Sequence, residues 1–377
     1  MKEVALFHTL AHLSIAFIGA ILLLAIWYNI RKRFNNRLEE DDSLLRIDKG
    51  LVYLSLALFV WVGSGTWGYL GTLGHFSQTT AYLLGVSLFS TLNNLFLLLA
   101  LFYFSHAPSF IYNNEKNISK IIALILLVSL LTIGLNLLLP ANQAAIRLAG
   151  IPDLLLSSFL CCLLSYSLFK TFIDRDLKVV SYIAALSVFL MFITQLPEVF
   201  TQLDDGFYNK LIQIIAKTSL ISIFLVLATS WVIELASTPR PSEMTLQFLD
   251  WSLVKISIPS KEIYDQVIDF GSKTTQYKNL LKFALRRKWG EGQEQCILVG
   301  AAGELKNQTY LSRIIENCNS ILALQEEQQL VRRDIFTFIG NGQYRLRILP
   351  EHISIEKGLL DEFLKTPDNQ TYNTICN

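Results

Sequence analysis

The chain has 377 residues, of which 52% are hydrophobic and 17% charged, and its formal net charge at pH 7 is +1. This near-neutral balance gives no indication of a nucleic-acid or anionic-lipid partner. The five cysteines show neither a disulfide framework nor a zinc-ligand spacing, so we expect no metal site.

Seven long apolar segments fill the first two-thirds of the chain, each near the ~20 residues that cross a hydrocarbon core. They cover approximately residues 10–30, 51–71, 82–105, 119–139, 152–173, 178–197 and 211–235. We therefore predict an all-α bundle of seven transmembrane helices over residues 1–237. Its surroundings would be the lipid bilayer of a prokaryotic inner or plasma membrane, in which it is a multi-pass protein.

Basic residues predict the orientation of this bundle. Eleven of them lie in the first, third and fifth connections, whereas the opposite side holds Lys2, Arg147 and Lys210. Because cytoplasmic loops are enriched in Lys and Arg, we expect the N-terminus outside and the C-terminus in the cytoplasm. The eleven are Arg31, Lys32, Arg33, Arg37, Arg46, Lys49, Lys116, Lys120, Lys170, Arg175 and Lys178.

Polar and aromatic side chains concentrate in the second and third spans. Small residues and buried Ser, Thr and Asn commonly hold transmembrane helices together, which is the structural interpretation of this cluster. The alternative is a mostly apolar pocket for a small molecule or lipid, in which aromatic rings stack and a few polar groups orient the ligand. The pocket candidates are Trp61, Thr66, Trp67, Tyr69, Asn93, Asn94 and Lys217.

Lys217 is the formal charge that lies well inside a predicted span. It could extend outward along its aliphatic stem, pair with Glu198, Asp204 or Asp205, or contact an anionic ligand. A lysine in the seventh helix resembles the retinal-bearing position of microbial rhodopsins. The third span, where those proteins carry an acid, contains no Asp or Glu, so we expect no cofactor.

Three histidines lie on the predicted outer side. His8 and His12 are four residues apart and fall on one helix face, and His75 lies in the next outer loop. Three imidazoles suit zinc binding or pH sensing. No fourth ligand of suitable spacing accompanies them, so we expect interfacial histidines.

The polar remainder predicts a linker at 238–243, a cytoplasmic α+β domain at 244–366 and a disordered tail at 367–377. Residues Leu246 to Ile258 indicate a strand, and Ser260 is a candidate N-cap of a helix that reaches Trp289. The apolar residues of that helix have heptad-like spacing, which suits packing against the core or against a second copy, and we expect a homodimer. A short strand follows at Cys296 to Val299, and then a helix from Gln308 to Leu324.

Two alternating runs around Asn341-Gly342 predict a type I′ β-hairpin. Pairing across that turn sets apolar residues opposite one another on one face and Phe opposite Arg on the other. The predicted pairs are Ile339 with Tyr344, Thr337 with Leu346, Ile335 with Ile348, Phe338 with Arg345 and Phe336 with Arg347.

The helix, the spacer and this hairpin resemble the recognition helix and wing of winged-helix domains of the response-regulator type, over about residues 308–349. The resemblance implies a winged-helix-like domain that contacts DNA. From residue 240 onward, however, 17 Lys and Arg balance 17 Asp and Glu, so the basic footprint of a DNA reader is missing. We expect a protein partner instead. The interaction candidates are Arg286, Arg287, Lys288, Arg313, Asn317, Asn319, Arg345 and Arg347.

No nucleotide-binding, kinase or Ser-His-Asp motif is present, and the sequence predicts that the protein is not an enzyme. The favoured hypothesis is a receptor-like signal transducer whose bundle senses a ligand or the membrane and signals to the cytoplasmic domain. One alternative is a pore or membrane-disrupting effector controlled by that domain. Another is a small-molecule carrier, because Gln195-Leu-Pro197 resembles the proline motif of seven-span sugar carriers.

Overall fold

A computed structural model describes residues 2–40, 42–76, 79–104, 106–108, 110–111, 115–138, 148–200, 207–326, 328–340 and 342–376. The chain divides into two compact units. A helical unit comprises residues 1–35 and 46–233, and a C-terminal unit comprises residues 36–45 and 234–377.

The first two-thirds of the chain is helical. Among the described residues, six helices are long and apolar enough to cross a membrane, as expected for a multi-pass membrane protein. The helices are α1 (Lys2–Glu40), with a kink at Phe34, α2 (Asp42–Leu73), α3 (Thr80–Tyr103), α4 (Glu115–Leu138), α5 (Ile151–Asp174), α6 (Lys178–Ile193), α7 (Leu196–Val199) and α8 (Phe207–Ser237).

The sixth predicted span differs from the other six. Helix α6 has 16 residues, which corresponds to about 24 Å of α-helix, whereas a hydrocarbon core is ~30 Å thick. A turn at Thr194 and Gln195 separates it from α7, whose first turn contains Pro197. The described part of the helical segment thus contains six long apolar helices and the shorter apolar helix α6.

The glycine-rich end of α2 allows helices to approach closely. A Cβ atom on Gly65 would lie 3.2 Å from the backbone Cα of Leu13 in α1. One turn earlier, Trp61 donates its indole hydrogen to Asn93 of α3 over 2.8 Å. Small residues and polar side chains therefore hold α1, α2 and α3 together, as the structural interpretation of this segment predicts.

The C-terminal unit contains two small sheets and several helices around one apolar core. One sheet has the order β3-β2-β1-β7, with β1 parallel to β7, and the other has the order β4-β6-β5. Its elements are β1 (Thr245–Phe248), β2 (Leu253–Ile258), β3 (Ile263–Asp269), α9 (Thr274–Trp289), β4 (Ile297–Leu298), α10 (Thr309–Ile321), α11 (Arg332–Ile335), β5 (Phe336–Gly340), β6 (Gln343–Leu346), β7 (Ile353–Ile355), α12 (Lys357–Lys365) and α13 (Gln370–Cys376).

Two secondary-structure predictions for this unit were wrong. The single strand expected from Leu246 to Ile258 is an antiparallel pair, β1 and β2. The helix expected from Ser260 starts only at Thr274, because the preceding residues form β3. Strand β3 bonds to β2 along its length, so cross-strand hydrogen bonds override the helical spacing of its apolar residues.

The hairpin forms, but its predicted register was wrong by one residue over most of its length. The observed pairs are Phe336 with Leu346, Thr337 with Arg345 and Phe338 with Tyr344. The register shifts between Phe338 and Gly340, where a bulge adds one residue to β5. The expected Phe338–Arg345 and Phe336–Arg347 pairs are therefore lost. Asn341 lies outside the described residues, so the turn type stays a prediction.

The C-terminal tail, predicted to be disordered, contains the helix α13. Tyr372 is 1% exposed and packs edge-to-face on Phe363 of α12, with 5.5 Å between the ring centroids. Its hydroxyl donates to Glu304 over 2.5 Å. One buried aromatic side chain thus anchors a segment whose overall composition is polar.

Candidate ligand-binding cavity

The helical unit contains a partly open cavity of about 450 Å³. This volume lies within the range of roughly 300–1,000 Å³ that is typical of small-molecule sites. Side chains from α1 to α8 contribute to its wall. The polar and charged lining residues are His12, Ser64, Ser87, Ser90, Asn93, Asn94, Thr132, Asn136, Asp153, Ser157, Gln195, Gln213 and Lys217.

A lysine, a histidine and a tryptophan from three helices meet at the cavity wall. The Lys217 ammonium of α8 contacts Nε2 of His12 in α1. It also lies 5.7 Å from the ring centroid of Trp61 in α2, a cation–π distance. Because an ammonium only donates, His12 accepts with Nε2, so its ring hydrogen is on Nδ1.

The wall also carries an acid on α5. Asp153 lies in the first turn of that helix, after Pro152, and its Oδ2 accepts a hydrogen bond from Ser90 Oγ over 3.0 Å. Among the described residues, no cation pairs with Asp153. Lys217 and Asp153 therefore supply one positive and one negative formal charge to the same cavity.

Two further polar groups of the wall are buried and have no hydrogen-bond partner within the described parts of the chain. They are Nδ2 of Asn94, a residue 4% exposed, and Oγ1 of Thr132, a residue 6% exposed. Leaving a buried polar group unpaired costs about 1–3 kcal/mol. A bound molecule that hydrogen-bonds to them would recover part of this cost.

Four of the seven predicted pocket residues line this cavity: Trp61, Asn93, Asn94 and Lys217. The other three do not. Thr66 is exposed, and its hydroxyl bonds to the carbonyl of Val62 in its own helix. Trp67 donates to the carbonyl of Tyr82 over 3.1 Å and stacks on that ring. Tyr69 is partly buried on the same helix, away from the lining residues.

The predicted ion pairs of Lys217 involve groups outside the described part of the chain. Asp204 and Asp205 lie outside the described residues, as does the side chain of Glu198. The contact with His12 was not predicted, because the sequence pattern does not indicate which residues 205 positions apart will meet in the folded chain.

Several cavity residues were not predicted. In the sequence, Asp153 follows Pro152 in the position of an ordinary first-turn acid, and His12 was predicted to be an interfacial histidine. Ser90 is one of several polar residues in the third span, and residue type alone does not distinguish it from the others. The spacing of these residues along the sequence does not indicate that they meet, because they come from different helices. The weak signal for Asp153 was its position inside an otherwise apolar segment.

The basic cluster at the end of α9 is part of the C-terminal unit's own structure. Arg286 donates to Glu304 over 3.0 Å and lies over the Tyr372 ring. Arg287 is 7% exposed and donates to the Ile348 carbonyl over 3.0 Å. Lys288 bonds to a backbone carbonyl of β7. These three interaction candidates therefore stabilise the unit and do not form an open basic patch.

The other interaction candidates are also largely engaged. Asn317 accepts a hydrogen bond from Lys273, and Asn319 exchanges two hydrogen bonds with the backbone of Leu330. Arg347 is buried and donates to the backbone carbonyls at 333 and 239. Arg345 is partly buried, and Arg313 is exposed on α10.

Within the described ranges, no three His, Cys, Asp or Glu side chains cluster closely enough to hold a metal ion. No protein-family model, curated protein or solved structure matches the chain. The cavity and the composition of its wall are therefore the basis for assigning a function.

Proposed function

We propose that the protein is a membrane-embedded, receptor-like sensor. Its helical unit binds a small molecule in the cavity, and its C-terminal unit transmits the signal to a cytoplasmic protein. The single observation that carries the proposal is the cavity of about 450 Å³ with Lys217 and Asp153 in its wall.

The charges support this function because ionisable side chains within apolar segments are costly and commonly mark functional sites. Lys217 contacts His12 and Trp61. Asp153 accepts a hydrogen bond from Ser90, and no cation pairs with it among the described residues. A cationic or hydrogen-bond-donating group of a bound ligand would compensate Asp153.

A seventh span is part of the proposal. Helices α6 and α7 are separated only by Thr194 and Gln195, so together they extend over residues 178–199. Added to the six long helices, they give an odd number of crossings. With the positive-inside rule, the N-terminus is then outside and the C-terminal unit in the cytoplasm.

In this proposal the C-terminal unit serves as a protein-interaction module, and the chain forms a homodimer. Its order of α9, β4, α10, α11 and the β5–β6 hairpin supports the winged-helix resemblance. Helix α10, the counterpart of the recognition helix, is separated from the hairpin by the four-residue helix α11. The internal contacts of the basic residues favour protein over DNA.

A co-purification experiment tests the proposal. The full chain is purified from its membrane in mild detergent, and the molecules released by denaturation are identified by mass spectrometry. Ser157→Leu fills part of the cavity, whereas Ser222→Leu makes the same change on an exposed part of α8. We expect a small molecule with the wild type and Ser222→Leu, and at least tenfold less with Ser157→Leu. Equal recovery from all three proteins would refute binding in the cavity.

A carrier is the second candidate function, and the break between α6 and α7 favours it. Transporters often place their substrate beside interrupted helices, and Gln195 in this break lines the cavity. Flux of a co-purified compound into proteoliposomes distinguishes the two functions. Saturable uptake would assign a carrier, and binding without uptake would support the receptor.

A further inference from the structure

We infer that the cavity accepts an organic ammonium ion: a small molecule with one cationic amine, a neutral oxygen close to that amine and an apolar body, as in an aliphatic amino alcohol. This inference rests on the proposed function and specifies its ligand class. The ammonium group would donate to Asp153, and the neutral oxygen would accept a hydrogen bond from Asn94.

The Asp153 carboxylate is the first reason. It lines the cavity, its Oδ2 accepts a hydrogen bond from Ser90 over 3.0 Å, and no cation pairs with it in the described part of the chain. An ionised carboxylate can accept about four hydrogen bonds. Because a carboxylate without a cation is costly in apolar surroundings, a ligand with an ammonium group suits this side of the cavity.

The positive charge of Lys217 is held by other helices. Its ammonium contacts His12 of α1 and lies 5.7 Å from the ring centroid of Trp61 in α2. Asp153, in contrast, belongs to α5 and bonds to α3. An ammonium ligand beside Asp153 therefore leaves these contacts of Lys217 in place.

The second reason is a pair of buried polar groups in the same wall. Nδ2 of Asn94 and Oγ1 of Thr132 have no hydrogen-bond partner among the described residues, although the two residues are only 4% and 6% exposed. Three residues before them, Thr91 and Ser129 hydrogen-bond to each other over 2.6 Å. Both unpaired groups thus lie within about one turn of the contact between α3 and α4.

The spacing along α3 relates Asn94 to the carboxylate. Ser90, which donates to Asp153, is four residues before Asn94, so the Cβ atoms of Ser90 and Asn94 are about 5–6 Å apart on one helix face. An amide nitrogen only donates, so Nδ2 of Asn94 would pair with an oxygen and not with the ammonium group. That oxygen would lie within a few bonds of the ligand nitrogen, as in a 1,2-amino alcohol.

The remaining wall suits an organic body better than an inorganic cation. A cavity of about 450 Å³ is far larger than a single metal ion. The apolar part of the ligand would pack against aliphatic and aromatic side chains, which include Leu97, Leu164, Val188, Leu220 and Phe224.

Three probes with one carbon skeleton test the inference on the full chain in nanodiscs. They are leucinol, 4-methylpentan-1-ol, which lacks the amine, and 4-methylpentan-2-amine, which lacks the hydroxyl group. Binding is measured by isothermal titration calorimetry at about pH 6.5, where amines with pKa values of about 7.7 or above are protonated. Because charge-assisted hydrogen bonds are the stronger ones, leucinol should bind at least about tenfold more tightly than the alcohol and at least about threefold more tightly than the amine.

Variants assign each ligand group to its residue. Asp153→Asn, which retains an acceptor for Ser90, is expected to weaken leucinol binding at least about tenfold and to leave the alcohol unchanged. Asn94→Leu is expected to weaken leucinol binding at least about threefold and to leave the amine unchanged. The controls are Asp176→Asn, whose side chain is 89% exposed, and Asn29→Leu at an exposed position of α1, and both should bind leucinol like the wild type.

Three results would overturn the inference: equal affinity for leucinol and either analogue, absence of binding by all three probes, or an Asp153→Asn variant that binds leucinol as the wild type does. The probe series on the wild type is decisive even if a cavity variant does not fold. If the probes fail but another molecule co-purifies with the chain, the ligand class is wrong and the proposed function stands. If no molecule co-purifies either, both are wrong.

Discussion

At the scale of single residues, Asn93 and Asn94 are neighbours in α3 with different roles. Asn93 accepts the indole hydrogen of Trp61, whereas Nδ2 of Asn94 lacks a hydrogen-bond partner among the described residues. The sequence predicted both residues as pocket candidates, but residue type cannot show which side-chain amide already has a hydrogen-bond partner. That depends on the side chains that packing brings alongside each one.

Leucine substitutions should therefore have opposite effects on stability. Asn93→Leu leaves the Trp61 indole without its acceptor and is expected to destabilise the protein by about 1–3 kcal/mol. Asn94→Leu removes an unpaired buried amide and is expected to change the free energy of unfolding by less than about 0.5 kcal/mol, or to stabilise the protein. Unfolding of both variants in a detergent titration without ligand measures this difference. A greater loss for Asn94→Leu would contradict the assignment.

Glu304 links helices α9 and α13 of the C-terminal unit. Its carboxylate accepts from Tyr372 over 2.5 Å and pairs with Lys282 and Arg286 over 3.2 and 3.0 Å. Burial raises the pKa of Glu304, but the Tyr372 hydrogen bond and the two positive charges outweigh burial and hold this pKa below its ordinary value. The ionised carboxylate therefore stabilises the fold.

This pKa shift predicts how stability depends on pH. Because the folded pKa is depressed, the contribution is fully present above the ordinary value of about 4.3 and is lost as the pH falls through the folded pKa. Below about pH 4.3 the wild type should lose stability, and Glu304→Gln should lose less, because it has no carboxylate to protonate at this position. Hydrogen exchange of the buried β2 amides in the full chain measures the stability at each pH, with Glu316→Gln as the control for an exposed carboxylate. An unchanged pH profile in Glu304→Gln would contradict the prediction.

At the scale of elements, the sequence predicted the long apolar helices well and the short strands less well. A run of about 20 apolar residues has few alternatives to a helix in a membrane. In and just after β3, by contrast, Ile263, Val267 and Phe270 satisfy a helical spacing, although β3 pairs with β2. The bulge in β5 and the break after α6 were also missed, because both depend on tertiary packing.

Substitution of Gly342 tests the backbone geometry of the hairpin turn. Gly342 has φ of +77°, and a Cβ atom there would lie 2.9 Å from the carbonyl oxygen of Val299. Gly342→Ala is expected to destabilise the C-terminal unit by at least about 1–2 kcal/mol, because the left-handed conformation is unfavourable for alanine. The same hydrogen-exchange measurement applies.

Gly358 in α12 is the matched control, since a Cβ atom there meets no neighbour within 4 Å. Gly358→Ala is expected to be neutral or to stabilise the unit by up to about 1 kcal/mol. Equal effects of the two substitutions would argue against the observed turn geometry.

Helix α13 offers a second test at this scale. Tyr372→Ala removes a ring that is 1% exposed and is expected to destabilise the C-terminal unit by about 3–5 kcal/mol. Thr371→Ala alters the adjacent exposed side chain and is expected to change stability by less than about 0.5 kcal/mol. Limited proteolysis of the full chain reports both effects. If the two variants are cleaved at the same rate as the wild type, the tail is not docked.

At the scale of the whole molecule, hydropathy predicted the division into an apolar helical part and a polar C-terminal part. The cavity was predicted only in part. Trp61, Asn93, Asn94 and Lys217 were named from residue type, whereas His12, Ser90 and Asp153 were not assigned to it. These residues come from helices far apart in sequence, so only the packing of the bundle brings them to one wall.

The central claim is that this cavity binds a small molecule. A cryo-electron microscopy reconstruction of the full chain, purified gently from its own membrane into nanodiscs, tests it most directly. We predict density that no protein atom explains, in contact with Lys217, Asp153 and Asn94. A bundle whose side chains fill this space, with Lys217 and Asp153 paired directly to each other, would contradict the claim.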